Sequence, residues 1–69
     1  MTTKARIAQV ARRKFARRGF DATSIRQIVA EARVTKPVLY YYFKNKRDLF
    51  LSLLEEAVAG DAGVIGVRE

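Results

Sequence analysis

The chain has 69 residues, a length that holds one small core. It contains no Cys and no His, so disulfides, thiolate nucleophiles, imidazole bases and the commonest zinc ligands are excluded together. The net charge of +7 is unevenly placed: Met1 to Arg47 carries thirteen Lys/Arg against Asp21 and Glu31, a balance of +11, whereas Asp48 to Glu69 carries one Arg against five acids. One end is therefore suited to a polyanion, and both nucleic acid and anionic lipid satisfy that. The longest apolar runs, Val38–Phe43 and Leu49–Leu51, are far too short to span a bilayer, and the N-terminus lacks the hydrophobic block of a signal peptide. A cytoplasmic protein is expected.

From Thr3 to about Arg18, Ile7, Ala8, Ala11 and Phe15 fall on one side of a helix whose other faces are basic. Gly19 follows the cationic pair Arg17-Arg18, a stop signal because glycine enters the left-handed region without strain. Phe20 is then expected to turn back toward the core. Thr23 and Ser24 offer hydroxyls to the free amides of a second helix, and Ser24 with Gln27 has capping-box spacing. Ile25, Ile28, Val29 and Ala32 form the buried stripe of that short helix. The β-branched pair Val34-Thr35 followed by Lys36-Pro37 marks a new start: Thr35 can cap, and Pro37 fits a first turn where an amide lacks a partner.

The run Val38-Leu39-Tyr40-Tyr41-Tyr42-Phe43 suits a strand or a helix taken alone, and the flanking caps decide for helix. On a helix, Leu39, Tyr42 and Phe43 share the face expected to be buried, leaving Lys36, Tyr40 and Tyr41 on an aromatic, cationic remainder. Asn45 and Asp48 form a cap with an acidic first turn, and Leu49, Phe50, Leu53, Leu54, Ala57 and Val58 make the broadest apolar stripe in the chain. Gly60 is expected to end that fourth helix, with an aperiodic tail beyond it.

A short third helix after a tight turn describes a helix-turn-helix, and at this point the residues resemble the tetracycline-repressor (TetR) family. The resemblance runs from about Ile7 to Leu54, through Ala11, Phe15, Gly19-Phe20, Thr23-Ser24-Ile25 and Ile28-Val29. Its most specific part is the block Val34-Thr35-Lys36-Pro37-Val38-Leu39-Tyr40-Tyr41-Tyr42-Phe43-Lys44-Asn45-Lys46. It implies an all-α fold: a homeodomain-like three-helix head plus the start of a fourth helix. Residues 1–47 are expected to form the DNA-binding head, and 48–69 a fourth helix and tail leading to an effector and dimerisation domain outside this chain. It further implies a homodimeric repressor on a palindromic operator, with a small-molecule inducer bound only in that other domain. No cofactor and no enzymatic activity are expected.

In a helix-turn-helix the second helix of the motif puts its first turn in the major groove, which places Thr35, Lys36, Pro37, Val38 and Tyr40 near base edges. Lys36 is the leading base reader, able to donate to guanine O6/N7; the bland alternative is a solvated or phosphate-bound lysine. Pro37 and Val38 can touch thymine methyls or merely pack the helix start. Tyr40 and Tyr41 are expected on phosphate, with packing against the first helix as the alternative for Tyr40. Lys46, beside the amides of the fourth helix, is expected to hold phosphate, and the Thr23 hydroxyl either to cap helix two alone or to touch phosphate as well. Arg33 stands where the family usually has Gly, so either it accepts a strained left-handed backbone or the turn differs; a phosphate contact by its guanidinium could offset the strain, the alternative being an idle surface arginine.

Other classes are weaker. Residues 4–18 are basic and amphipathic like an interfacial membrane helix, but such a peptide needs no capped second helix and no Thr-Lys-Pro turn. A protein-interaction module using the Leu49–Val58 stripe is the third reading. Ser24 and Ser52 lack any histidine partner, and Glu55 and Glu56 diverge by about 100° on a helix, so neither pair suggests catalysis.

Overall fold

A computed structural model describes the backbone of residues 2–66 and the side chains of residues 2–57. Four helices account for the regular structure among them: α1 (Thr3–Arg18), α2 (Ile25–Ala32), α3 (Lys36–Tyr42) and α4 (Lys46–Gly66). The fold is all-α, as the spacing predicts. Helix α1 packs on the other three, and α2 also packs on α3.

Each helix start is fixed locally by a side-chain oxygen that accepts from an otherwise unpaired amide. Thr2 accepts from Ala5 N (3.1 Å), Ser24 from Gln27 N (3.1 Å), Thr35 from Val38 N (3.4 Å) and Asn45 from Asp48 N (2.7 Å). At α2 the Gln27 side chain also accepts from Ser24 N, which completes the capping box. At α4 the reciprocal contact is displaced by one residue, the Asp48 carboxylate accepting from Lys44 N at 2.9 Å.

The ends follow two rules. At α1, Gly19 takes φ 85° and its amide closes on Phe15 O. At α2 the same job falls to Arg33 at φ 62°, ψ 44°. Its amide bonds Ala30 O, while Val34 N reaches back to Val29 O at 3.0 Å, the paired bonds of a Schellman end. Of the alternatives open for Arg33, it adopts the left-handed backbone, at a cost of roughly 1–2 kcal/mol.

The core comprises Ile7, Val10, Ala11 and Phe15 of α1, Ile28, Val29 and Ala32 of α2, Leu39 and Phe43 around α3, and Leu49 and Leu53 of α4. Val10 takes an inward position that the periodicity had left to Ala8, which is only half-buried. Phe20 does turn inward: it stacks on Phe15 and meets Phe50 edge-on, with centroids 5.8 and 5.1 Å apart. Burial of Leu49 and Leu53 makes the first two turns of α4 part of the head.

Two expectations are corrected here. Tyr42 is not a core residue; it is 37% exposed, because Leu39 and Phe43, one turn apart, occupy the inward line and leave Tyr42 at its edge. Helix α4 does not end at Gly60 but continues to Gly66. Glycine ends a helix only where its backbone turns left-handed; otherwise it remains an interior residue at a cost of about 1 kcal/mol. Among the described residues no helix is long and apolar enough to cross a membrane.

Candidate nucleic-acid interface

The interface is built on α3. Burial of Leu39 (0% exposed) and Phe43 anchors one line of this short helix to the core, so the remaining lines face outward. Thr35, Lys36 and Pro37 are exposed, and Val38 is half-buried against the core. One turn on, Tyr40 lies over the Lys36 line and Tyr41 over the Pro37 line, 44% and 82% exposed. The Tyr41 and Tyr42 rings meet edge to face at 4.9 Å. The result is a protruding helix start with one cation, followed by a collar of three phenols that can each donate to or accept from a phosphate or ribose oxygen.

Tyr42 is the member of that collar which sequence reasoning missed. The signal was present: Leu39 and Phe43 alone satisfy the buried face of a helix this short. Arg33, immediately before the start of α3, is exposed, and its guanidinium makes no ion pair among the described residues.

Thr23 is the clear correction. It is 1% exposed, and its hydroxyl donates toward Gly19 O (2.8 Å), with Lys14 O at 3.2 Å. It therefore satisfies carbonyls at the end of α1 rather than capping α2, which Ser24 does.

Lys46 also differs from expectation in its surroundings. Its ammonium donates to Phe20 O (2.7 Å) and Thr23 O (3.0 Å) and lies 4.1 Å from the Phe20 ring centroid.

The basic surface divides into engaged and open parts. Arg13 and Lys14 both pair with Glu31, at 2.7 and 2.9 Å, joining α1 to α2. The Lys14 hydrogen bond foremost, then that of Arg13, holds the Glu31 carboxyl below its ordinary pKa. The Arg6 side chain donates to Ala32 O at the end of α2 (3.0 Å). Arg12, Arg17, Arg18, Arg26, Lys44 and Arg47 are exposed and make no ion pair among the described residues. These supply most of the long-range positive field; Arg13 and Lys14 share the single Glu31 carboxylate, so that cluster contributes less.

Comparison with known proteins agrees with this geometry. Residues 7–53 match the family described as "Bacterial regulatory proteins, tetR family". The chain is 48% identical over 54 residues to the HTH-type transcriptional repressor SCO4008 of Streptomyces coelicolor, which covers 78% of this chain and 28% of the relative. It is 41% identical to the HTH-type transcriptional regulator QacR of Staphylococcus aureus (78% of this chain, 29% of the relative). It is 42% identical to the HTH-type transcriptional activator FasR of Mycolicibacterium smegmatis (80% and 24%). The chain thus spans roughly a quarter of the length of these relatives. No solved structure gave a significant match. The chain belongs to the tetR family of bacterial regulatory proteins, and the helices described above form that family's helix-turn-helix DNA-binding domain.

Proposed function

We propose that this domain reads a specific double-stranded DNA sequence by inserting the first turn of α3 in the major groove. The observation that carries the reading is the division of α3 into a sealed line, Leu39 and Phe43, and an open first turn, Thr35 to Pro37. Lys36 is the base reader, donating to guanine; Pro37 and the exposed part of Val38 give apolar contact to thymine methyls. Tyr40, Tyr41 and Tyr42 contact the sugar-phosphate backbone, and Thr35 and Arg33 flank the helix start on the same strand. Lys46, beside the amides at the start of α4, holds a phosphate through the one of its three N–H donors that the loop carbonyls leave free.

In the whole protein, the head includes the first two turns of α4, through Leu53, and the rest of that helix leads to a C-terminal domain that dimerises and binds a small-molecule inducer. Two heads then address a palindromic operator about 34 Å apart on one side of the duplex. Regulation is most simply repression in the cytoplasm, as the word repressor in one relative's name supports; the activator among the relatives makes the sign a matter for experiment.

The test is selection of duplexes from a random pool, followed by titration at several salt concentrations. Enrichment of one half-site motif, with affinity falling steeply as salt rises, is expected. Equal affinity for all duplexes, or tighter binding to anionic vesicles than to any duplex, overturns the reading.

A further inference from the structure

The turn between α2 and α3 is held from outside by α1. Ala32, the last residue of α2, is 1% exposed, and its carbonyl accepts from the Arg6 side chain, Nε donating at 3.0 Å. No other donor among the described residues reaches that oxygen. The same peptide unit is tied at its other end, where Arg33 N donates to Ala30 O at 3.3 Å and to Val29 O. A peptide unit is planar, so its C=O and N–H turn together, and its setting about the Arg33 Cα is the φ of Arg33. That angle, 62°, is the one positive φ on a non-glycine residue among the described residues.

We infer that Arg6 is a positioning residue for DNA reading: by fixing the Ala32–Arg33 peptide unit, it holds Arg33 in the left-handed turn that aims the start of α3. The inference rests on the proposed DNA reading. A carbonyl buried at a helix end has no water to turn to, so removing its partner costs the desolvation of that group. A guanidinium is also the charge that a helix C-terminus favours. Left-handed backbone is strained for a side chain such as that of Arg33, and strain of this kind persists only where the surroundings over-determine it. Swinging the peptide unit would relieve the strain, but it would also take Ala32 O off Arg6. The clamp has a firm base, because Ile7, next to Arg6 on α1, is fully buried in the core. Only Val34 separates Arg33 from the cap Thr35, so a swing at Arg33 passes directly into the first turn of α3. Leu39 and Phe43 seat the body of α3, and the turn sets the direction of its start.

The experiment uses Arg6→Met and Arg6→Gln, with Arg6→Met also combined with Arg33→Gly. Glutamine carries its amide nitrogen as many bonds from Cα as arginine carries Nε, so Arg6→Gln keeps the donor and removes the charge. Two quantities are read on protein that circular dichroism shows to be folded: the preference for the selected duplex over one of scrambled sequence, and amide hydrogen exchange at Arg33 and Val34 in the free protein. The preference is a ratio, so a phosphate contact common to both duplexes cancels. Arg6→Met is expected to lower it about tenfold, as the unpaired carbonyl depopulates the competent turn, and to speed exchange at both amides. Arg6→Gln restores both. In the Arg33→Gly background, where the left-handed backbone is unstrained, Arg6→Met lowers the preference much less. A preference in Arg6→Met within about twofold of the unsubstituted chain, the scatter of uncoupled sites, overturns the inference. Equal losses in Arg6→Gln and Arg6→Met also overturn it, by assigning the effect to charge, and so do equal losses with and without Arg33→Gly. Should Arg6→Met not fold, the Arg6 Nε–H of the unsubstituted chain decides: coupling through the hydrogen bond to the Ala32 carbonyl carbon supports the clamp, and rapid exchange with solvent refutes it. Failure of the unsubstituted chain to prefer any duplex removes the DNA reading instead, while exchange at Arg33 and Val34 still shows whether the clamp exists.

Discussion

The starts of α3 and α4 are built from the same parts. Each has a polar cap, Thr35 or Asn45, that accepts from the amide three residues on, and each has a lysine as its first helical residue. Their lysines meet opposite fates. Lys36 is exposed and without an ion pair among the described residues, while Lys46 is half-buried against the Phe20 ring with its ammonium on two loop carbonyls. Local sequence makes both helix starts; what a cation does there depends on what stands opposite. At α4 the opposing surface is an aromatic cluster and a turn from a distant part of the chain, and at α3 it is solvent.

That contrast can be broken most severely from beneath. Leu39 is fully buried and seats α3 on the core, so Leu39→Ala is expected to cost about 2–5 kcal/mol. In a domain this small that leaves little or no folded population at room temperature, read by circular dichroism during a urea titration. A two-state transition within 1 kcal/mol of the unsubstituted chain, on the order of the smallest core effects, would show that the α3 seat is not what holds the helix start outward. Next comes Lys36→Ala, which should leave stability within about 0.5 kcal/mol but erode discrimination between preferred and mismatched half-sites by about 1–3 kcal/mol. Equal weakening on every duplex would demote Lys36 from base reader to phosphate contact.

The caps sharpen the comparison at a smaller scale. Thr35→Ala and Asn45→Ala should each cost about 1 kcal/mol of stability. Only Thr35→Ala should also change duplex preference, as determined by repeating the selection with each variant. Arg33→Gly should move two readings in opposite directions: stability rises by roughly 1 kcal/mol as the left-handed strain is relieved, while the salt slope of DNA binding falls by about one if its guanidinium meets phosphate. A slope left unchanged, or tighter binding, returns Arg33 to an idle surface residue.

The smallest expected effect concerns the cross-link between α1 and α2. Lys14, then Arg13, hold the Glu31 carboxyl below its ordinary pKa of 4.5, so the ionised group is favoured in the folded state. Its stabilising contribution is complete above that value and disappears as pH falls through the lower folded-state pKa. The exposed setting keeps it small and sensitive to salt. Glu31→Gln should therefore be slightly less stable than the unsubstituted chain near neutrality, and the two should converge below about pH 4.5. Parallel curves down to low pH would exclude Glu31 as the source of the acid sensitivity.

Much of the fold was legible before any coordinates. The capping residues, the stop at Gly19, the Ser24/Gln27 box and the Leu39–Phe43 line are local signals, and local signals act within a turn or two of helix. Exposure along one helix was legible, as for Lys36, Pro37, Tyr40 and Tyr41. It was misread where a side chain answers to a distant neighbour. Thr23 has the chemistry of a cap but turns to the end of α1, and Tyr42 sits at the edge of a buried line that two other residues already fill. The extension of α4 past Gly60 was missed for a related reason, since glycine permits a helix to stop without requiring it.

The sequence by itself determined which segments coil, where each begins, which line of each helix is apolar and that one end of the chain is strongly basic. All of these follow from hydrogen bonding and side-chain periodicity over a few residues. Only the tertiary structure decided which cations remain open. Arg13 and Lys14 are taken by Glu31, Arg6 by a carbonyl of α2 and Lys46 by the turn before α2, each across a separation in sequence that no local pattern reports. A charge can be counted from the residues alone, but its partner is fixed only when the helices pack.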